Sequence, residues 1–129
     1  MLAVDTNVIV RFLVNDDAKQ SARARTLVTE NDVFLPLSVL LECEWVLRSV
    51  FKFQPGAIAK ALGRFVGLPT VSVERPAIAA WALDWLAQGI DFADALHLAS
   101  SNHCEAFVTF DQKFIKRVGP LVGLEIRVP

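Results

Sequence analysis

The chain predicts an α/β fold, with helices packed around a mostly parallel sheet. Short apolar runs alternate with helical segments along the whole length, the pattern of strand–helix–strand units. No Asn-Gly or Asp-Gly pair joins consecutive runs, so tight hairpins are not expected. The 129 residues make about one domain, and no repeat, low-complexity stretch or linker divides them. Residues 1–129 are read as a single domain.

Each element has a local reason. "LAV" at 2–4 is a short strand that ends at Asp5, and "NVIVRFL" then starts a helix. From Asp17 to Glu30 the pattern is polar and helical, with alanines and Leu27–Val28 facing inward. "DVFLP" at 32–36 is a strand stopped by Pro36, and a longer helix follows over about 37–52. Pro55 opens another helix near 56–66. "TVSV" at 70–73 is a strand, and Pro76 sits in the first turn of a helix that Gly89 closes. "IDFADALHLAS" supplies a helix from about 92 to 103, "AFVTF" a strand at 106–110, "QKFIKRV" a short helix and "LEIRV" a last strand.

Composition narrows the class. At 53% hydrophobic, with a mean hydropathy of +0.42, the chain is richer in apolar residues than an average soluble domain. No apolar run reaches the ~18 residues of a membrane span, so the surplus suggests a filled core and an apolar surface for a partner. The N-terminal "MLAVDTNVIVRFLVNDD" lacks a basic leader, and Asp5 and Arg11 interrupt it, so a cytoplasmic location is expected. Cys43 and Cys104 show no CxxC spacing and no zinc partner set; two buried or half-buried thiols are expected. A net charge of −1 argues against a protein that grips long nucleic acid. Any such contact must be local or shared between chains.

The acids carry the chemistry. Ligands of open parallel sheets bind outside the carboxyl ends of the strands, where Asp5 and Asp111 fall. Each of these, and Asp91, is also a good helix N-cap. Asp94 is harder to explain by capping. It lies about 60° from Asp91 on one helix face, and His97 adds a further step along it. In "PLSVLLECEWVLRS", Glu44, Arg48 and Lys52 at four-residue spacing predict a solvated, ion-paired face. Glu42 then points nearly opposite, among Val39, Val46 and Val50, where a lone carboxylate is costly. A cation explains these acids together. With only oxygen donors it should be hard, Mg²⁺ or Mn²⁺, and the chemistry such a cluster suits is phosphoryl transfer.

"AVDTNVIVRFL", the acid in "SVLLECEWVLR", "DFADALHLA" and "FVTFDQKF" resemble the PIN-domain nucleases, and more narrowly the VapC-type toxins of toxin–antitoxin pairs. The likeness runs through the whole chain in order. It implies a PIN-like three-layer sandwich with a parallel five-stranded sheet, and a Mg²⁺- or Mn²⁺-dependent endoribonuclease. By position Asp5, Glu42, Asp94 and Asp111 match the family's catalytic, metal-holding acids, and Asp91 an accessory ligand or cap. Thr6 and Asn7 match the polar pair that orients the first acid or holds water on the metal, with a similar role for Thr109. The resemblance further implies a homodimer restrained by a VapB-type antitoxin. The expected reaction is in-line attack of water on an RNA phosphodiester, leaving a 5′-phosphate. Arg11, Lys113 and Lys116 are the candidate RNA contacts, and Trp81 with Trp85 is assigned to an interface rather than to base stacking. His97 is not a usual ligand of the family.

Two other classes compete. A catalytically silent PIN-like binding module would keep the fold without metal binding. A Mg²⁺-binding receiver domain of signalling systems would want adjacent acids after the first strand and a lysine after the last. This chain offers Asp5-Thr6 and Arg127 instead.

Overall fold

A computed structural model describes all 129 residues. Strand β1 (Leu2–Ala3) leads into α1 (Thr6–Leu13) and α2 (Ala18–Glu30); β2 (Val33–Leu35) leads into α3 (Leu37–Ser49) and α4 (Pro55–Val66). Then come β3 (Val71–Val73), α5 (Pro76–Ala87), α6 (Phe92–Ser100), β4 (Ala106–Val108), α7 (Gln112–Val118) and β5 (Glu125–Arg127). Every element expected from the sequence is present, with ends that differ by at most about three residues.

All strand pairs are parallel, as expected, but they form two sheets rather than one of five strands. The first has the order β1-β2-β3, with Leu2 opposite Val33 and Phe34 opposite Ser72. The second pairs β4 with β5, Ala106 opposite Glu125. The brevity of β1 explains the division. The amides of Leu2 and Val4 donate to Asp32 and Phe34 of the β2 side, so only Ala3 faces the other way. One residue cannot sustain a ladder.

The core is a single cluster of 26 buried residues, among them Ile9, Leu35, Leu40, Leu47, Ile58, Leu62, Phe65, Phe92 and Leu98. Helix α5 packs on α4 and α6, and α1 packs on α2 and α3. No helix is long and apolar enough to cross a membrane.

Helix α3 turns a different stripe inward from the one expected. Its buried residues are Leu40, Cys43, Glu44 and Leu47, the i, i+3, i+4, i+7 set of a core-facing helix. Glu44 is 2% exposed and is held by Arg48, Nε to Oε2 at 2.8 Å. It is therefore not part of a solvated face. Glu42 is exposed, and so are Trp45 and Val50. Two apolar stripes compete on this helix. The one bearing Leu40 and Leu47 reaches deeper, and the ion pair with Arg48 makes burying Glu44 tolerable. The cysteines also divide: Cys43 is buried, but Cys104 is exposed, with its sulfur 3.6 Å from Nε2 of His103.

Candidate active site

Asp5 follows β1 and caps α1, its carboxylate accepting the amide of Thr6 at 2.7 Å. Thr6 is buried at the first turn of α1, and its hydroxyl donates to Oε1 of Glu42. One residue thus ties the helix after β1 to the helix after β2 and fixes one carboxylate oxygen. Asp5, Thr6, Asn7 and Glu42 line a cleft of about 440 Å³, walled on its apolar side by Val46 and Phe51. The Cys43 thiol beside it is pushed up to about 12, first by burial, then by Glu42 and Asp5. Both carboxylates therefore act on the same buried spot.

A second group gathers around α6. Asp91 caps this helix, accepting the amide of Asp94 at 3.2 Å. Asp94 stands half-buried one turn in. Its carboxyl is raised above the usual aspartate range by burial first, then by Asp91, with Asp111 adding to it; His97 and Arg117 pull the other way. Asp111 caps α7 by accepting the amide of Phe114 at 3.0 Å, and its own amide donates to the Thr109 hydroxyl at 3.1 Å. Thr109 thereby shapes the turn that delivers Asp111.

Asp5, Asp91 and Asp111 are all genuine N-caps, while Glu42 and Asp94 cap nothing. The acids fall into two neighbourhoods, Asp5 with Glu42 and Asp94 with Asp91 and Asp111. No group of three or more His, Cys, Asp or Glu side chains converges closely enough to hold a metal by itself. The donor chemistry still suits a hard divalent cation. The available donors are oxygens, and burial first, then the neighbouring carboxylates, raise Asp94, both of which a cation would offset. Such ions commonly keep several waters and take only one or two carboxylates from the protein.

The expected cations are placed unevenly. Arg11 lines the acid cleft but is occupied: Nη1 reaches the Asp16 carboxylate at 2.9 and 3.0 Å, and Nε reaches Gln20 at 2.7 Å. Lys113 and Lys116 are exposed and form no ion pair. His97 is exposed, with its backbone carbonyl taken by Ser101 Oγ at 2.7 Å. Trp81 and Trp85 line a separate cleft beside Cys104 and Glu125.

Sequence reasoning missed Arg117, which acts on Asp94, and the weaker pull of Asp91 on Arg48, whose charge is held first by Glu44. The Glu44–Arg48 spacing was legible as an ion pair; its depth was not. Nothing in the spacing of Arg117 marks it, since it comes near Asp94 from another helix.

A family model described as PIN domain matches residues 2–119. No curated protein matches the chain.

Proposed function

The chain belongs to the PIN-domain family, whose members are generally metal-dependent nucleases, and from that premise we propose that it is a Mg²⁺- or Mn²⁺-dependent endoribonuclease, the toxin of a VapBC-type pair. The observation that carries this reading is the linked pair at the cleft. A buried Thr6 hydroxyl holds the Glu42 carboxylate beside Asp5, at the edge where parallel-sheet enzymes work.

Asp5 and Glu42 would hold the ion from one side, and Asp94 and Asp111 from the other, with Asp91 accessory. When bound, the ion neutralises phosphate charge and makes water a better nucleophile. The chain's own residues prepare for this. Thr6 keeps one Glu42 oxygen committed and leaves the other free. Asn7, exposed at the cleft lip, can orient water or substrate through its amide. The Asp111 turn is stiffened by Thr109, so that carboxylate is delivered with little freedom to lose on binding. Val46 and Phe51 give the cleft an apolar wall, which strengthens charge interactions beside it.

A homodimer and a VapB-type antitoxin belong to the same proposal, as does a cytoplasmic setting. The exposed Trp45 and Val50 of α3 and the Trp81 cleft supply apolar surface for such partners. A silent PIN-like module is favoured by one observation, that no three ligands converge unaided.

The deciding experiment is cleavage of end-labelled total RNA by the purified protein, with Mg²⁺ or Mn²⁺ and with chelator, beside Asp94→Asn and Asp91→Asn. Metal-dependent cuts should fall by roughly 100-fold or more in Asp94→Asn, the scale of losing one electrostatic group of a site. Asp91→Asn, which keeps a capping oxygen, should lose far less. Wild type that neither cleaves RNA nor binds Mn²⁺ in a calorimetric titration would establish the silent module.

A further inference from the structure

A second groove adjoins the acid cleft. It lies between α1 and α2 and measures about 530 Å³, the size of a small-ligand pocket. Asn7 and Arg11 line both the groove and the cleft, so the two share a boundary at these side chains. Ala24 and Leu27 give the groove an apolar floor, and Gln20 and Arg23 supply its polar rim.

One wall of the groove belongs to a basic helix. Helix α2 carries Lys19, Arg23 and Arg25 and no acid until Glu30, its last residue, in a chain whose net charge is −1. Arg11 is not a free cation, because Asp16 and Gln20 hold it. Arg23 is exposed and forms neither an ion pair nor a side-chain hydrogen bond. Lys19 stands one turn before it on the same side. A free guanidinium above an apolar floor, with two amides at the rim, is a combination suited to one class of ligand.

We propose that the α1–α2 groove is the path of single-stranded RNA into the acid cleft, with Arg23 contacting a backbone phosphate and Asn7 and Gln20 facing ribose or base. The inference rests on the endoribonuclease reading. Single-stranded RNA fits because it carries one charge per nucleotide, separated by neutral sugar and base that can pack on Ala24 and Leu27. Unpaired bases offer donors and acceptors to side-chain amides, and the 2′-hydroxyl adds another. Local binding of this kind also reconciles the overall charge with a nucleic-acid substrate. The Arg11–Asp16 pair stands at the junction, where it withholds one cation from the strand.

The test is fluorescence anisotropy of a labelled single-stranded RNA, recorded over a range of salt with chelator present to prevent cleavage. Arg23→Ala should weaken binding several-fold. It should also flatten the dependence of log Kd on log salt by about 0.7, the value of one single-strand phosphate contact. Arg23→Lys should restore that slope, a result that a merely structural role for Arg23 does not predict. Asp16→Asn, which releases Arg11, should tighten binding, and Lys60→Ala on α4, outside both pockets, should change nothing. Unchanged affinity and slope in Arg23→Ala would overturn the path, and so would wild type that does not bind RNA. An acidic peptide that binds wild type and loses affinity in Arg23→Ala, while RNA binding is unaffected, would assign the groove to a protein partner instead. Hydrolysis of bis(p-nitrophenyl) phosphate by wild type with Mn²⁺ tests the catalytic reading separately, since so small a diester needs no groove.

Discussion

Asp94 and Glu44 show how differently two shielded carboxylates can be managed. Glu44 is neutralised within the fold by Arg48, whose side chain is 45% exposed. The pair is asymmetric, and its variants should be too. Arg48→Met strands a carboxylate that is 3% exposed and should cost about 3 kcal/mol in urea unfolding. Glu44→Met leaves an arginine that can turn to water, and should be neutral or stabilising. Equal losses in both would mean that the pair acts through packing rather than charge. Asp94 has no such partner, and burial with Asp91 and Asp111 raises it. Its folded form therefore holds a proton more tightly than the unfolded chain does. The resulting destabilisation is absent below the ordinary aspartate range, grows as pH rises toward the raised folded value, and persists above it. Without metal, Asp94→Asn should melt higher than wild type at pH 7, and the advantage should vanish near pH 3.

Helix ends set the directions in which the acids point. Asp5, Asp91 and Asp111 each cap the helix they start, so one residue type serves both the fold and the cleft. Gly89, at φ +93°, makes the turn from α5 into the α6 cap. A Cβ there would meet no atom within 4 Å, so Gly89→Ala should cost about 1 kcal/mol from backbone strain alone. Lys52, past the end of α3, is the opposite case, a side chain held at φ +59°. Lys52→Gly should stabilise by up to about 1 kcal/mol. Thermal unfolding of the two variants checks both signs. These element boundaries were legible in the sequence because caps, prolines and Gly89 are local signals. The inward stripe of α3 was not. Val39, Val46 and Val50 are spaced as plausibly as Leu40, Cys43 and Leu47, and only the neighbouring helices distinguish them.

At the scale of the whole molecule, a bound cation should act as a staple between the two acid neighbourhoods. They come from opposite ends of the chain, Asp5 and Glu42 from the first half and Asp94 and Asp111 from the second. Saturating Mn²⁺, at about 100 times its Kd, should add about 2.7 kcal/mol to unfolding. Asp94→Asn should lose most of that gain, read as the Mn²⁺-induced shift in Tm. A shift of equal size in the mutant would remove Asp94 from the metal site.

The amino-acid sequence by itself determined the kinds and order of the elements, the parallel strand direction and the candidate acids, because periodicity, capping and turn chemistry act over a few residues. It also showed that those acids offer only oxygen donors, the chemistry a hard cation prefers. Only the tertiary structure decided the depth of Glu44, the division of the strands into two sheets, the latching of Arg11 by Asp16 and Gln20, and the freedom of Arg23. These depend on which surfaces meet across the fold, and burial and pairing are properties of those meetings rather than of any one segment.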